Sequence, residues 1–212
     1  MKRIFYAIFV FSALIIGVCL AAPEPAIVPG PSDWTVNLTF EKPQPIELKV
    51  SPDGKPQRFW YMIVSLTNNT GRDVEFYPKC ELMTDTFEII TAERRVPAVV
   101  FERLKHRYES KYPFLEKLEL ANSKMLQGED NAKDVAIIWR DFDSKAKNIS
   151  IFIAGLSNET AVISHPIAKD ENGNPLNVFL RKTLELKYSL SGDPMFRDDA
   201  KLLYKGKRWV MR

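Results

Sequence analysis

The segment "FWYMIVSLTNNTG", residues 59–71, constrains the fold most strongly, because it is apolar on both faces of a strand before it ends in a turn. Alternate residues occupy opposite faces, and both sets are apolar: Phe59, Tyr61 and Ile63 on one face, Trp60, Met62 and Val64 on the other. A strand with one face in water alternates between apolar and polar residues instead. The chain must therefore cover this strand with a second layer in addition to an opposing sheet.

The segment between Val96 and Leu120 can supply that layer, because its hydrophobic period changes from 2 to 3.6. The apolar residues that recur at helical spacing are Val100, Phe101, Leu104 and Tyr108. Pro97 suits the first turn of a helix, and Pro113 is expected to end it. The pattern predicts a helical insertion over about residues 97–120 that packs on the outer face of the 59–67 strand.

The rest of the chain is dominated by strand patterns. The predicted strands are 34–40, 45–50, 59–67, 73–78, 80–90, 135–140, 149–154, 178–190 and 202–211. Residues 59–86 are predicted to form a hairpin, since Asn68 to Gly71 provide turn chemistry between two strands. The expected architecture is a mainly β chain: a single β-sandwich domain over residues 34–212 with one helical insertion.

The N-terminus has the parts of a secretory signal peptide. Lys2 and Arg3 precede an apolar run from Ile4 to Leu20, and small residues follow in "CLAAPEPA". Residues 1–21 are predicted to be a signal helix and residues 22–33 a proline-rich linker. An uncleaved anchor and a lipoprotein modified at Cys19 remain alternatives. After cleavage Cys80 is the only cysteine, so no intrachain disulfide can form, and the periplasm or envelope of a bacterium is the predicted location.

The charge of the chain disfavours nucleic acid as a partner. Removal of Lys2 and Arg3 takes the formal net charge from +3 to +1, and nucleic-acid binders usually carry a basic stripe. The main basic cluster is interleaved with Glu102 and Glu109 and is predicted to be a solvated helix face. The expected partners are an envelope protein or a glycan, with membrane contact only through the N-terminal signal segment.

Few residues suggest catalysis. The sharpest enzyme hypothesis pairs Cys80 with His106 or His165, but a free cysteine in a strand usually serves as a small buried hydrophobe. His165 is predicted to lie in a turn, "SHP". The nucleophile-elbow, zinc-protease and phosphate-loop motifs are missing from the sequence. We therefore predict no catalytic residue.

Two acidic segments could suggest a metal, and both are better explained as surface structure. The stretch "AKDENGNPLN" contains Asp170, Glu171, Asn172 and Asn174, but it lacks the spacing of a calcium loop and favours a hairpin turn. The stretch "GEDNAKD" contains Glu129, Asp130 and Asp134 and is predicted to be a solubilising loop before a strand. No metal and no cofactor is predicted.

Aromatic residues and loops are the remaining candidates for ligand contact. All four tryptophans (Trp34, Trp60, Trp139 and Trp209) fall in strand patterns and are expected to pack in the core. Trp209 is the one we select as functional, because it lies in the basic segment "KGKRWVMR". Loops 68–73 and 157–160 are the expected contact loops. The predicted ligand contacts are Trp209, Asn68, Asn69 and Arg72.

Several of these motifs resemble those of a known group. The stretch "SLTNNTGRDVEFYP" resembles the V-x-V-x-N-x-T-G strand and turn of small immunoglobulin-like domains in exported bacterial proteins. "LQGEDNAKDVAIIW" resembles their Gly-Glu element, and "NISIFIAGL" follows as its paired strand. Over most of residues 58–212 the chain is similar to exported proteins of planctomycete-type bacteria. The resemblance implies an immunoglobulin-like β-sandwich and an extracytoplasmic location, and it implies no reaction.

These observations favour a non-enzymatic binding or assembly module of the cell envelope. The alternative is a carbohydrate-binding module, which predicts two or more coplanar exposed aromatic side chains on one face. A third hypothesis is a hydrolase with a Cys or Ser nucleophile, which predicts a histidine within hydrogen-bond distance of that nucleophile.

Overall fold

A computed structural model describes residues 32–121, 123–191 and 201–212. This part of the chain is mainly β, as predicted. Its elements are β1 (Asn37–Phe40), β2 (Gln44–Lys49), β3 (Pro56–Asn68), β4 (Val74–Phe76), β5 (Lys79–Thr84), β6 (Ile89–Thr91), α1 (Ala98–Tyr108), β7 (Glu116–Lys117), β8 (Ser123–Met125), β9 (Gly128–Arg140), β10 (Asn148–Ala154), β11 (Thr160–Lys169), β12 (Pro175–Ser191) and β13 (Lys201–Met211). The predicted signal helix and most of the predicted linker lie outside the described residues.

The strands form two large sheets and one small one. The first sheet has the order β1-β3-β9-β7, with β2 also paired to β3. The second sheet has the order β11-β12-β10-β5-β6, with β13 also paired to β12, and β4 pairs with β8. All pairs are antiparallel except β7 with β9. β3 is the centre of the first sheet, since it pairs with β1, β2 and β9.

One large hydrophobic core includes residues of both large sheets. In the first sheet Trp60 pairs with Trp139 and Met62 with Ile137, and all four side chains are buried. The second sheet contributes alternate residues of β5, β10 and β12: Cys80, Leu82, Ile149, Ile151, Ile153, Leu184, Leu186 and Tyr188. Two sheets that bury facing side chains in a shared core are consistent with a β-sandwich.

The opposite face of β3 packs against α1, as the two-sided apolar pattern predicts. Phe59, Tyr61 and Ile63 form a second buried cluster, and α1 covers it with Val100, Phe101 and Leu104. Tyr108 adds a hydrogen bond, because its hydroxyl lies 2.9 Å from that of Tyr61. The prediction that a helix covers the strand is confirmed.

The helical part of this insertion is shorter than the predicted 97–120. α1 ends at Tyr108, whose carbonyl accepts bonds from the N–H groups of Lys111 and Tyr112 in a turn. Pro113 disfavours helical geometry in the residue before it, so the chain leaves the helix ahead of the proline. The following residues turn and then add β7 to the first sheet.

The predicted hairpin over residues 59–86 is wrong. β3 belongs to the first sheet and β5 to the second, and the short β4 between them pairs with β8. The predicted pairing of "NISIFIAGL" with the strand before it is wrong for the same reason, because β9 and β10 lie in different sheets. The residues after β3 mark the end of a strand, but local residues do not specify which strand becomes its hydrogen-bonded neighbour.

Several segments differ from their predicted structure. Residues 80–90 form two strands, β5 and β6, which pair with each other. β9 begins at Gly128, so "GEDNAKD" is strand and not loop; pairing of Ser65 with Asp134 and of Leu66 with Lys133 holds it in the sheet. His165 lies within β11 at a register irregularity, where its Nδ1 accepts the N–H groups of Ile167 and Ala168.

Candidate functional site: a groove on the outer face of the second sheet

Side chains of β12 point alternately into the core and away from it. Leu184 and Leu186 point into the shared core, so Thr183 and Glu185, which alternate with them along the strand, point outward. Strand pairing extends this outer face to the neighbours: Phe152 of β10 stands between Glu81 and Glu185. We call the face that points away from the first sheet the outer face.

An open cavity of about 270 Å³ lies on this outer face. The side chains that shape it are Lys79, Glu81, Phe152, Phe179, Arg181 and Arg212. Phe179 is 70% exposed, a large fraction for a phenylalanine, and Phe152 is half-buried. This half of the site therefore combines apolar rings with charged groups.

A second cavity of about 350 Å³ adjoins the first. Its main lining side chains are Trp34, Glu75, Tyr77, Asn158, Thr160 and Arg181. Arg181 lines both cavities, and consecutive residues Ala154 and Gly155 line one each. Because they share Arg181, we call the two cavities together the outer groove.

The backbone around Gly155 brings the two halves together. Gly155 has φ +87°, and a Cβ built there would lie 2.4 Å from the carbonyl oxygen of Tyr77. Only glycine allows the end of β10 to approach the Tyr77–Pro78 backbone this closely. Tyr77 is held in turn by its hydroxyl, which donates to Glu75 Oε2 at 2.8 Å.

Trp34 is positioned by the loop after β10. The backbone N–H of Trp34 donates to Asn158 Oδ1 at 2.7 Å, and its backbone carbonyl accepts from Ser157 Oγ at 2.8 Å. Thr35 also bridges to Ser157. Residues far apart in sequence therefore form one wall of the outer groove. This wall includes loop 157–160, which was predicted to contact a ligand.

Charges in the outer groove divide into paired and unpaired groups. Arg212 pairs with Glu81 at 2.8 Å, and its guanidinium lies 4.3 Å from the centre of the Phe152 ring. Lys79 and Arg181 have exposed side chains, and neither makes an ion pair with any residue that the structure describes. Among the residues that the structure describes, Lys79 and Arg181 are thus exposed cations of the groove without an ion-pair partner.

Beside the groove, Glu185 is buried and ionised. Burial opposes its ionisation, but hydrogen bonds from Arg208 and Ser150, together with the charges of Arg208 and Lys187, hold the pKa of Glu185 below its ordinary value of 4.5. Ser150 Oγ donates to it at 3.0 Å. This network ties β10, β12 and β13 together on the outer face.

The predicted contact residues of the first loop lie away from the outer groove, at the end of β3. Asn68 is fully buried: its Nδ2 donates to the carbonyls of Arg72 and Met125, and its Oδ1 accepts from Thr70. Asn69 and Arg72 have exposed positions, and Arg72 donates to the carbonyl of Ser32. Ligand contact at these residues stays a prediction.

Trp209 is 39% exposed and lies on β13. It pairs in register with Leu184, so it shares the core side of the second sheet and not the groove side. Lys182 Nζ lies 5.1 Å from the ring centre and also pairs with buried Glu159. Trp60 and Trp139 are buried in the core, and Trp34 is half-buried in the groove wall.

The proposed Cys80–histidine pair is not assembled. Cys80 is buried on the core side of β5, and burial, followed by the charges of Glu81 and Glu93, raises the pKa of its thiol well above the usual value. His106 lies on the exposed side of α1, 3.8 Å from Glu109. A buried, protonated thiol without a neighbouring base does not fit a nucleophile.

The acidic turn at Asp170 folds on itself. Its Oδ1 accepts the N–H groups of Asn172 and Asn174, at 2.9 and 2.8 Å, which closes the connection between β11 and β12. Within residues 32–121, 123–191 and 201–212, no group of three or more His, Cys, Asp or Glu side chains is placed to hold a metal ion. The same ranges contain no helix long and apolar enough to cross a membrane.

The groove residues Tyr77, Phe179 and Arg181 were missed by sequence reasoning. Strand alternation places Phe179, Arg181 and Thr183 on a common face, and this was the available signal. The sequence did not indicate which other residues line this face, because alternation within one strand does not show which strands lie beside it.

Comparison with known proteins found no matching family model, no matching curated protein and no matching solved structure.

Proposed function

We propose that this chain is an exported protein of a bacterial cell envelope, in which an immunoglobulin-like β-sandwich acts as a non-enzymatic binding or assembly module. The N-terminal pattern of a basic start, an apolar run and small residues supports export. The two motifs that carry the immunoglobulin-like resemblance lie in adjacent strands, since Asn68 pairs with Gly128.

The outer groove is the observation that carries the binding role. Exposed aromatic rings that are rimmed by charged and polar side chains are typical of interaction sites. Tyr77 and Phe179 are 57% and 70% exposed, and Arg181 stands where the two cavities join. The proposed partner is an envelope protein or a glycan, and nucleic acid is not proposed. Contact with the membrane is proposed only through the N-terminal segment.

Binding is favoured over hydrolysis by the composition of the groove. Among the described residues, its lining contains no histidine and no cysteine, and the serine in its lining, Ser157, is buried and bonded to the Trp34 carbonyl. A hydrolytic site needs a nucleophile with an adjacent base. The Cys or Ser hydrolase therefore stays the weakest of the three hypotheses.

Site-specific photocrosslinking in the native envelope tests this function. Replacing Phe179 with a photoreactive phenylalanine analogue is expected to yield a discrete adduct, because position 179 lies in the groove. Phe114 is the matched control: it is also a phenylalanine, is 86% exposed, and precedes Leu115 of the helix-side cluster. Equal labelling from both positions, or none from position 179, would refute the groove as the binding site.

A further inference from the structure

The floor of the outer groove around Phe152 has no free strand edge. β10 is paired on one side with β5 and on the other with β12, and residues 183–189 of β12 are paired with both β10 and β13. An extended peptide therefore cannot add a strand at this part of the floor, where a ligand can contact side chains only. Among the described strands, β11 lies at the edge of the sheet and pairs with β12 alone.

The groove walls combine an exposed aromatic ring with polar groups. The Tyr77 ring is 57% exposed, and its hydroxyl donates to Glu75. Asn158 lines the same cavity and accepts the backbone N–H of Trp34, whose ring packs against the core. A pyranose ring has an apolar C–H face and a rim of hydroxyl groups, so it matches an aromatic ring flanked by a carboxylate and an amide. The arrangement suits a chain of sugar rings along the groove, since its two cavities adjoin.

Charge narrows the class of saccharide. Arg181 lies at the junction of the cavities, and Lys79 lies in the first of them. Both are exposed and lack an ion-pair partner in the part of the chain that the structure describes. An arginine side chain binds a carboxylate through two parallel hydrogen bonds, which gives orientation as well as affinity.

We propose that the outer groove binds a carboxylated saccharide chain, with Arg181 holding a carboxylate and Tyr77 and Phe179 contacting sugar rings. This inference rests on the proposed binding function and deepens it by naming the ligand class. Thr160 and Asn158 are exposed beside Arg181 and are placed to bond sugar hydroxyl groups.

The test is a calorimetric titration of the purified full-length chain with a galacturonic acid hexasaccharide and with its methyl ester. The ester keeps every ring and removes every charge, so the wild-type protein should bind the acid and bind the ester at least about tenfold more weakly. Arg181→Gln should cause a similar loss with the acid. Arg103→Gln, on the exposed side of α1, removes the same charge elsewhere and should leave binding unchanged.

Four results would overturn the inference. They are no binding of the hexasaccharide, equal affinity for acid and ester, equal effects of Arg181→Gln and Arg103→Gln, and binding of a polyglutamate peptide as tight as that of the hexasaccharide. If position 179 still photocrosslinks in the envelope, the binding function stands and only the saccharide assignment fails; if it does not, both fail.

Discussion

Asn68 shows how a single side chain can determine a turn. Its amide and carbonyl groups bond to Thr70, Arg72 and Met125, so the residue joins the end of β3 to the strand before β9. The sequence indicated a turn from Asn, Thr and Gly, and the structure adds that Asn68 is buried. A buried amide whose hydrogen bonds are satisfied, here by nearby residues and by distant Met125, stabilises the fold.

Gly155 provides the sharpest prediction for one residue. Gly155→Ala should destabilise the chain by about 1–3 kcal/mol more than Gly173→Ala, because the new Cβ meets the Tyr77 carbonyl. Gly173 is the matched control: its φ is +83°, close to that of Gly155, but nothing lies within 4 Å of its Cβ position. Gly173→Ala should lower the unfolding free energy by only about 1 kcal/mol, because alanine is less stable than glycine in the left-handed backbone conformation.

Urea unfolding of both variants measures the difference. Equal losses of unfolding free energy in the two variants would mean that the backbone near Tyr77 shifts to accommodate the methyl group. The close contact between Gly155 and Tyr77 would then not contribute to stability.

At the scale of elements, β3 and α1 act as a unit. β3 is buried on both faces because one face meets the second sheet and the other meets the helix. The sequence pattern of β3 required a covering layer, and the period change near Val96 identified it. The end of the helix was less predictable, since the turn after Tyr108 depends on Lys111 and Tyr112, which bond to Glu41 of another segment.

Truncation of the helix core tests this coupling. Phe101→Ala and Leu104→Ala should each destabilise the chain by about 2–5 kcal/mol, because both side chains are buried against β3. Val99→Ala is the control, since Val99 is 42% exposed on the same helix. Thermal and chemical unfolding should show a loss below about 0.5 kcal/mol for the control. Similar small losses at all three positions would contradict the packing of α1 on β3.

At the scale of the whole molecule, ionised carboxylates connect segments that are far apart in sequence. Glu185 joins β10, β12 and β13, and Glu41 connects the segment after β1 to the turn after α1. For both residues burial opposes ionisation, but hydrogen bonds and nearby positive charge lower the pKa below the ordinary value of 4.5. A carboxylate with a lowered folded pKa stabilises the protein above its unfolded pKa, and this stability is lost as pH falls through the folded pKa.

Stability of the chain should therefore be nearly constant in the neutral range and fall below about pH 4.5. Glu185→Gln should be less stable than the wild type at neutral pH, and the difference should shrink as pH falls, because protonation of Glu185 removes the same interaction. Glu102→Gln, at an exposed position of α1, should show a small difference at every pH. Unfolding curves across this pH range measure the effect, and a constant gap for Glu185→Gln would contradict it.

The mainly β character, the positions of most strands and the helical cover of β3 followed from the sequence, because hydrophobic periodicity and turn residues act over a few neighbouring positions. Strand partners did not follow: β3 and β5 look like a hairpin in sequence and lie in different sheets. The outer groove also required the tertiary structure. Phe152 and Arg181 share one face because β10 and β12 are paired in one register, and Trp34 reaches the groove only through its bonds to the loop after β10. Both arrangements depend on contacts between residues far apart in the chain.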